Sequence, residues 1–194
     1  MEKTKQDDNP HPSLPLKGRG YGLAWWWWIA TWFGCGRSPL VSGTVGSLGA
    51  LPCAWLIHQQ LGAPALFVAA WGIFFLGWLA SHHFLQKTGC RPDPKDIVVD
   101  EVAGQWLLLS ALPLTWQGYL VGFVLFRAFD IVKPWPVSWL DTHVKGALGV
   151  MIDDMAAAVY PIALFLAALI LSHAMGYPDA VTSSMMWMYG NLVQ

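Results

Sequence analysis

The stretch Phe126–Pro136, FRAFDIVKPWP, sets Arg127, Asp130 and Lys133 at steps of three directly after a long uncharged run. On a helix, that step separates neighbouring side chains by about 60°, so all three are expected on one face. Pro134 has no backbone donor and biases Lys133 away from helical angles, which predicts a helix end there. Two acidic pairs open other apolar segments: Asp100-Glu101 in DIVVDEVAGQWLLL and Asp153-Asp154 in GVMIDDMAA. Charges at the edge of an apolar layer are costly and need a partner or a task. Five converging carboxylates repel unless protonated or bridged by a cation, and an all-oxygen donor set suits Mg²⁺ best among common metals. With Arg127 and Lys133 alongside, such a site could hold and activate a phosphate group.

Other chemistries find less support. Cys35, Cys53 and Cys90 form no CxxC pair and are expected as free thiols, and His82 and His83, being adjacent, diverge by about 100° on a helix. No HExxH, Cys-x5-Arg, DxDxT or paired Arg/His phosphatase motif occurs, nor the spaced acidic signature of alcohol phosphotransferases. Local pairing of Arg127, Asp130 and Lys133, with the acids capping helices, would explain any one of these residues. It explains poorly why charges gather at three separate helix ends. A cation transporter is a rival of another class, but its carboxylates would be expected nearer mid-span. A membrane-anchored scaffold without activity is a second rival.

The elements that must position these groups follow from the charge pattern. In 194 residues only 12% are charged, 13 are tryptophan and the net charge is −1; the mean hydropathy is +0.43. No basic surface suggests nucleic acid. Charges are absent from Ser38 to Gln86, from Val102 to Phe126 and from Met155 to Pro178, and each run can include the roughly 18–20 residues of a spanning helix. The expectation is an all-α, polytopic membrane helical bundle with a polar site at the cytoplasmic face. Residues 1–21 read as a disordered polar tail that is not a signal peptide, 22–172 as the membrane-embedded domain and 173–194 as a C-terminal tail.

Within that domain, Gly22–Phe33, with Trp25-Trp26-Trp27-Trp28, reads as a short helix at the headgroup level. GCGRSPLVSGTVGSLGA, Gly34–Ala50, is small-residue rich and leads into an apolar helix. It is either an anion cradle or a capped loop with close helix packing, and it lacks the ending of a Walker A loop. Helices are expected over Val45–Leu61 and Pro64–Leu85, broken at Gly62-Ala63-Pro64, followed by a polar loop over Gln86–Asp96. Pro113 and Gly118 divide the next run into a hairpin. Asp141, His143 and Lys145 read as a polar connection before a final helix from about Val150 to Ser172, with Asp153 and Asp154 in its first turn and a kink at Pro161. Lys and Arg gather on the side of the charged site and are absent from the C-terminal tail, which makes that side cytoplasmic.

GCGRSPLVSGTVGSLGA, VVDEVAGQW, FRAFDIVKPWP and GVMIDDMAA, in this order and at these separations, resemble the phosphatidylglycerophosphatase A family of bacterial inner-membrane enzymes. The resemblance implies Mg²⁺-dependent removal of the terminal phosphate from phosphatidylglycerol phosphate. It implies that Asp100, Glu101, Asp130, Asp153 and Asp154 hold the metal, with Asp100, Glu101, Asp130 and Asp154 catalytic. Arg127 and Lys133 would bind the substrate phosphate, and Ser38, Thr44 and Ser47 the head group. Ala147 and Ala158 stand where relatives are expected to carry glycine.

Overall fold

The computed structural model describes residues 24–39, 41–88 and 95–176. The expected N-terminal tail, most of the expected C-terminal tail, most of the Gln86–Asp96 loop and Cys90 lie outside the described residues. Six α-helices and no strand occur among the described residues: α1 (Trp25–Ala30), α2 (Ser42–Thr88), α3 (Val99–Ser110), α4 (Trp116–Val132), α5 (Val137–His143) and α6 (Ala147–Ala174).

α1 is the expected tryptophan helix, and its faces differ. Trp26 is buried edge-on against Phe84, whereas Trp25 and Trp28 are exposed. A 3-10 turn at Cys35–Arg37 then leads to α2, which is interrupted at Gly62 (φ 83°, ψ 172°). Only glycine takes that conformation freely, and Pro64 follows it. α2 and α6 are both long and apolar enough to cross a membrane, with only 33% and 22% of their most apolar stretches buried within the protein. A core helix of a soluble protein would bury most of that surface.

α3 is the central element, since every residue except Glu101 is buried. Its apolar positions run all round the helix, as burial on every side requires. Pro113 and the Thr115 cap, whose side chain accepts from Gly118 N, turn the chain into α4. α3 and α4 pack antiparallel: a Cβ on Gly122 would lie 2.7 Å from Leu112 Cδ1 and 3.0 Å from Leu109 Cδ2. At the other end of the pair, Glu101 meets Arg127. α6 crosses α3 at Gly104, where a Cβ would lie 2.7 Å from the backbone oxygen of Asp154 and 2.7 Å from Phe126 Cε2.

Two sequence expectations are corrected. The polar connection carrying Asp141 and His143 contains a helix, α5, that seven residues between Pro136 and Val144 are too short to announce by periodicity. α6 begins at Ala147, one turn earlier than expected, so Asp153 and Asp154 lie in its second turn. Gly146, at φ 77°, precedes it and supplies the backbone freedom to start it there.

Gly104→Ala is expected to destabilise the protein by roughly 1–3 kcal/mol, because the new methyl meets backbone that cannot yield easily. Gly72→Ala has open space and is expected to be neutral or stabilising by up to about 1 kcal/mol. Thermal unfolding of both variants in detergent checks the contrast.

Candidate active site

The last two turns of α4, the first turn of α3 and the second turn of α6 bring their charged residues together. Arg127 Nη1 donates to Glu101 Oε1 at 2.9 Å and to Asp130 Oδ2 at 2.7 Å. The second bond is the i, i+3 pairing that the sequence spacing predicts. All three side chains are nearly buried, so these are charge-assisted bonds in a poorly solvated setting.

Lys133 departs from the expected common face. It is the C-cap of α4 in a left-handed conformation (φ 44°, ψ 64°) ahead of Pro134, so it leaves the helical phase. Its Nζ donates to Asp153 Oδ2 at 2.5 Å and to Asp141 Oδ1 at 2.9 Å, joining α4 to α6 and α5. Burial opposes charge on Lys133, but the bonds to Asp153 and Asp141 outweigh it and hold the ammonium pKa above its ordinary value. The group stays cationic throughout the neutral range.

A cavity of about 350 Å³ adjoins these residues. Asp100, Glu101, Asp130, Lys133, Asp153 and Asp154 all contribute to its wall. Three of them form a tighter set: one carboxylate oxygen from each of Glu101, Asp130 and Asp154 lies within 4.8 Å of the others. Glu101 Oε2 and Asp154 Oδ2 are buried and have no hydrogen-bond partner among the described residues. Buried carboxylate oxygens without donors are costly unless a cation covers them, so the donor set fits a hard cation such as Mg²⁺. Asp100 and Asp153 stand outside this set. Asp100 Oδ1 accepts from Glu101 N, while Asp153 Oδ1 accepts from Asp154 N and its Oδ2 takes Lys133.

The small-residue segment at the start of α2 passes directly beside this cluster. A Cβ on Gly43 would collide with Glu101 Oε1, and one on Gly46 would lie 2.9 Å from Glu101 Oε2 and 2.7 Å from Val98 Cβ. Of the two sequence alternatives, close helix packing is therefore realised here. Ser38, Thr44 and Ser47 are not part of the cavity wall; Ser47 is fully buried, and its Oγ has no partner among the described residues. Arg127 also stands behind the wall, holding Glu101 and Asp130. Ser42, Lys95, Asp141 and Lys145 do line the cavity and were not singled out as site residues. The available signal was the charge of Asp141 and Lys145 between two helices, which only α5 turns toward Lys133.

The sequence profile of the family described as Phosphatidylglycerophosphatase A matches residues 28–169. The chain is 42% identical over 135 residues to a phosphatidylglycerophosphatase A from Escherichia coli, covering 69% of this chain and 77% of that protein. It is 35% identical over 135 residues to a Haemophilus influenzae protein of the same name, covering 69% and 82%. A Bacteroides thetaiotaomicron protein provisionally named phosphatidylinositol-3-phosphatase is 37% identical over 153 residues, covering 72% and 91%. No solved structure matches the chain significantly.

The two partners of Lys133 differ in burial, with the Asp153 side chain 6% exposed and that of Asp141 42% exposed. A double-mutant cycle of Lys133→Met with Asp153→Asn is expected to give a coupling of about 1.5–3 kcal/mol. The same cycle with Asp141→Asn is expected to give less than about 1 kcal/mol. Unfolding of the single and double variants in detergent measures both.

Proposed function

The chain belongs to the phosphatidylglycerophosphatase A family, and on that footing we propose that this phosphatase hydrolyses the terminal phosphate of phosphatidylglycerol phosphate. The products are phosphatidylglycerol and inorganic phosphate. The observation that carries the reading is the meeting of Glu101, Asp130 and Asp154, with two buried carboxylate oxygens lacking donors, in a cavity that also holds Lys133.

Monoester hydrolysis asks mainly for positioning and for stabilisation of charge on the phosphoryl oxygens. Mg²⁺ held by Glu101, Asp130 and Asp154, with Asp100 and Asp153 on the same wall, would supply a Lewis acid for those oxygens. Lys133 adds cationic charge to the cavity wall. Arg127 is a positioning residue, since its Nη1 holds Glu101 and Asp130 together. A cavity carboxylate takes a proton from the attacking water as the water oxygen bonds to phosphorus. The bond from phosphorus to the glycerol oxygen breaks, and that oxygen leaves as the alcohol by taking up the proton that the carboxylate removed from the water, which returns the carboxylate to its starting state.

In this reading the chain is a multi-pass protein of the bacterial inner membrane, its embedded domain spanning residues 22–172. Support comes from the two apolar helices and from the bacterial relatives. The cavity faces the cytoplasm, supported by the Lys and Arg residues gathered on its side. Acyl chains stay in the bilayer, and only the head group reaches the carboxylates.

Detergent-purified protein is expected to release phosphate from phosphatidylglycerol phosphate with Mg²⁺ and to lose that activity in EDTA. Glu101→Gln, Asp130→Asn and Asp154→Asn are each expected to lower kcat/KM by roughly 10²-fold or more while remaining folded, and to weaken Mg²⁺ binding measured by calorimetry. Release that survives EDTA and all three variants would sink the assignment. Parallel assays with phosphatidylinositol 3-phosphate test the alternative head group carried in the name of the Bacteroides relative.

A further inference from the structure

The cations on and behind the cavity wall fall into two groups. Arg127 is committed to Glu101 and Asp130, and Lys133 to Asp141 and Asp153. Lys95 and Lys145 also contribute to the cavity wall, and both are exposed. Neither has a carboxylate ion-pair partner among the described residues; Lys145 Nζ donates only to the backbone oxygen of Asp141, at 3.3 Å. They come from different segments, Lys95 from the turn before α3 and Lys145 from the link between α5 and α6. The cavity therefore has an inner part dominated by buried carboxylates and an outer part with two exposed ammonium groups held in no direct ion pair among the described residues, Asp141 being the acid whose field Lys145 shares with Lys133.

We propose that Lys95 and Lys145 form a second anion subsite that receives the phosphodiester of a lipid head group while the terminal phosphomonoester lies at the inner carboxylates. The proposal rests on the phosphatase reading above and specifies its substrate as a lipid with two phosphates. A bridging phosphodiester keeps its negative charge at every physiological pH. Beside the acidic wall that charge would be repelled, so a pair of exposed lysines held in no direct ion pair sets which lipids can lie in the cavity. A lipid whose only phosphate is the monoester leaves the outer lysines without a ligand. Selection for the two-phosphate head group then comes from these residues and not from the inner set.

The test uses full-length protein in neutral detergent micelles, with Lys95→Met, Lys145→Met and the double variant. For phosphatidylglycerol phosphate, the double variant is expected to raise KM about tenfold, a change of one decade in affinity, with the loss falling on KM rather than kcat. Inhibition by inorganic phosphate, which needs only the inner site, is expected to change less than about twofold. The double variant Lys95→Arg with Lys145→Arg is expected to restore KM. An unchanged KM overturns the subsite. So does a parallel weakening of inorganic phosphate, which would mean that the lysines act only through the general field of the cavity. Equilibrium binding of phosphatidylglycerol, which carries the phosphodiester alone, reads the subsite without turnover. If wild-type protein binds it at least tenfold more tightly than the double variant yet releases no phosphate from any lipid, the catalytic reading fails and the subsite stands. Equal binding by both proteins removes the subsite whatever the activity.

Discussion

One guanidinium nitrogen, Arg127 Nη1, lies between two carboxylates from two helices, and the architecture around it follows from the cost of leaving any of the three unpaired. Carboxylates at the first turn of α3 and the last turn of α4 can share a cation only if the two helices return antiparallel. The break at Pro113 and the Thr115 cap allow that return. The start of α2 must then come close without filling the space that Glu101 occupies, and Gly43 and Gly46 meet that demand. Removing the arginine would leave like charges facing one another in a poorly solvated place, a state costlier than the lost bonds alone suggest.

Lys133 performs the corresponding task for the other half of the cavity. By leaving the helical phase at the end of α4 it reaches α5 and α6 at once, so the position of Asp153 depends on a backbone conformation outside any helix. The two cations divide the acidic residues between them. Arg127 secures Glu101 and Asp130, and Lys133 secures Asp141 and Asp153, while Asp154 faces the cavity with an oxygen that neither covers.

Much of this was legible before the structure, and the reasons are specific. The break at Gly62, the hairpin around Pro113, the end of α4 and the pairing of Arg127 with Asp130 all follow from local rules about glycine, proline and helical spacing. Lys133 shows where spacing stops informing, because a step of three means a shared face only while the backbone stays helical. α5 escaped because a helix of seven residues shows too few periods, and with it went the role of Asp141. The glycines of α2 were ambiguous for another reason. A segment without side chains can approach an anion that is a ligand or one that belongs to the protein, and sequence does not distinguish a bound phosphate from the carboxylate of Glu101. The aromatic run at α1 was readable as a helix, but its division into a buried Trp26 and exposed Trp25 and Trp28 depends on Phe84, nearly sixty residues away.

From Asp154 onward α6 continues without an acidic or basic residue other than His173 to Ala174, about twenty residues or ~30 Å of helix. That length matches the hydrocarbon thickness of a bilayer. In the proposed topology, with one end at the opposite water boundary and the other carrying Asp154, the helix would act as a ruler that sets the depth of the carboxylate group. A thinner membrane obliges a spanning helix to tilt, and since α6 crosses Gly104 at the backbone of Asp154, a tilt about that crossing swings the far end of the helix and moves Asp154 least. In the proposed membrane topology the carboxylate group would thus keep its geometry as the acyl-chain length of the surrounding lipids changes.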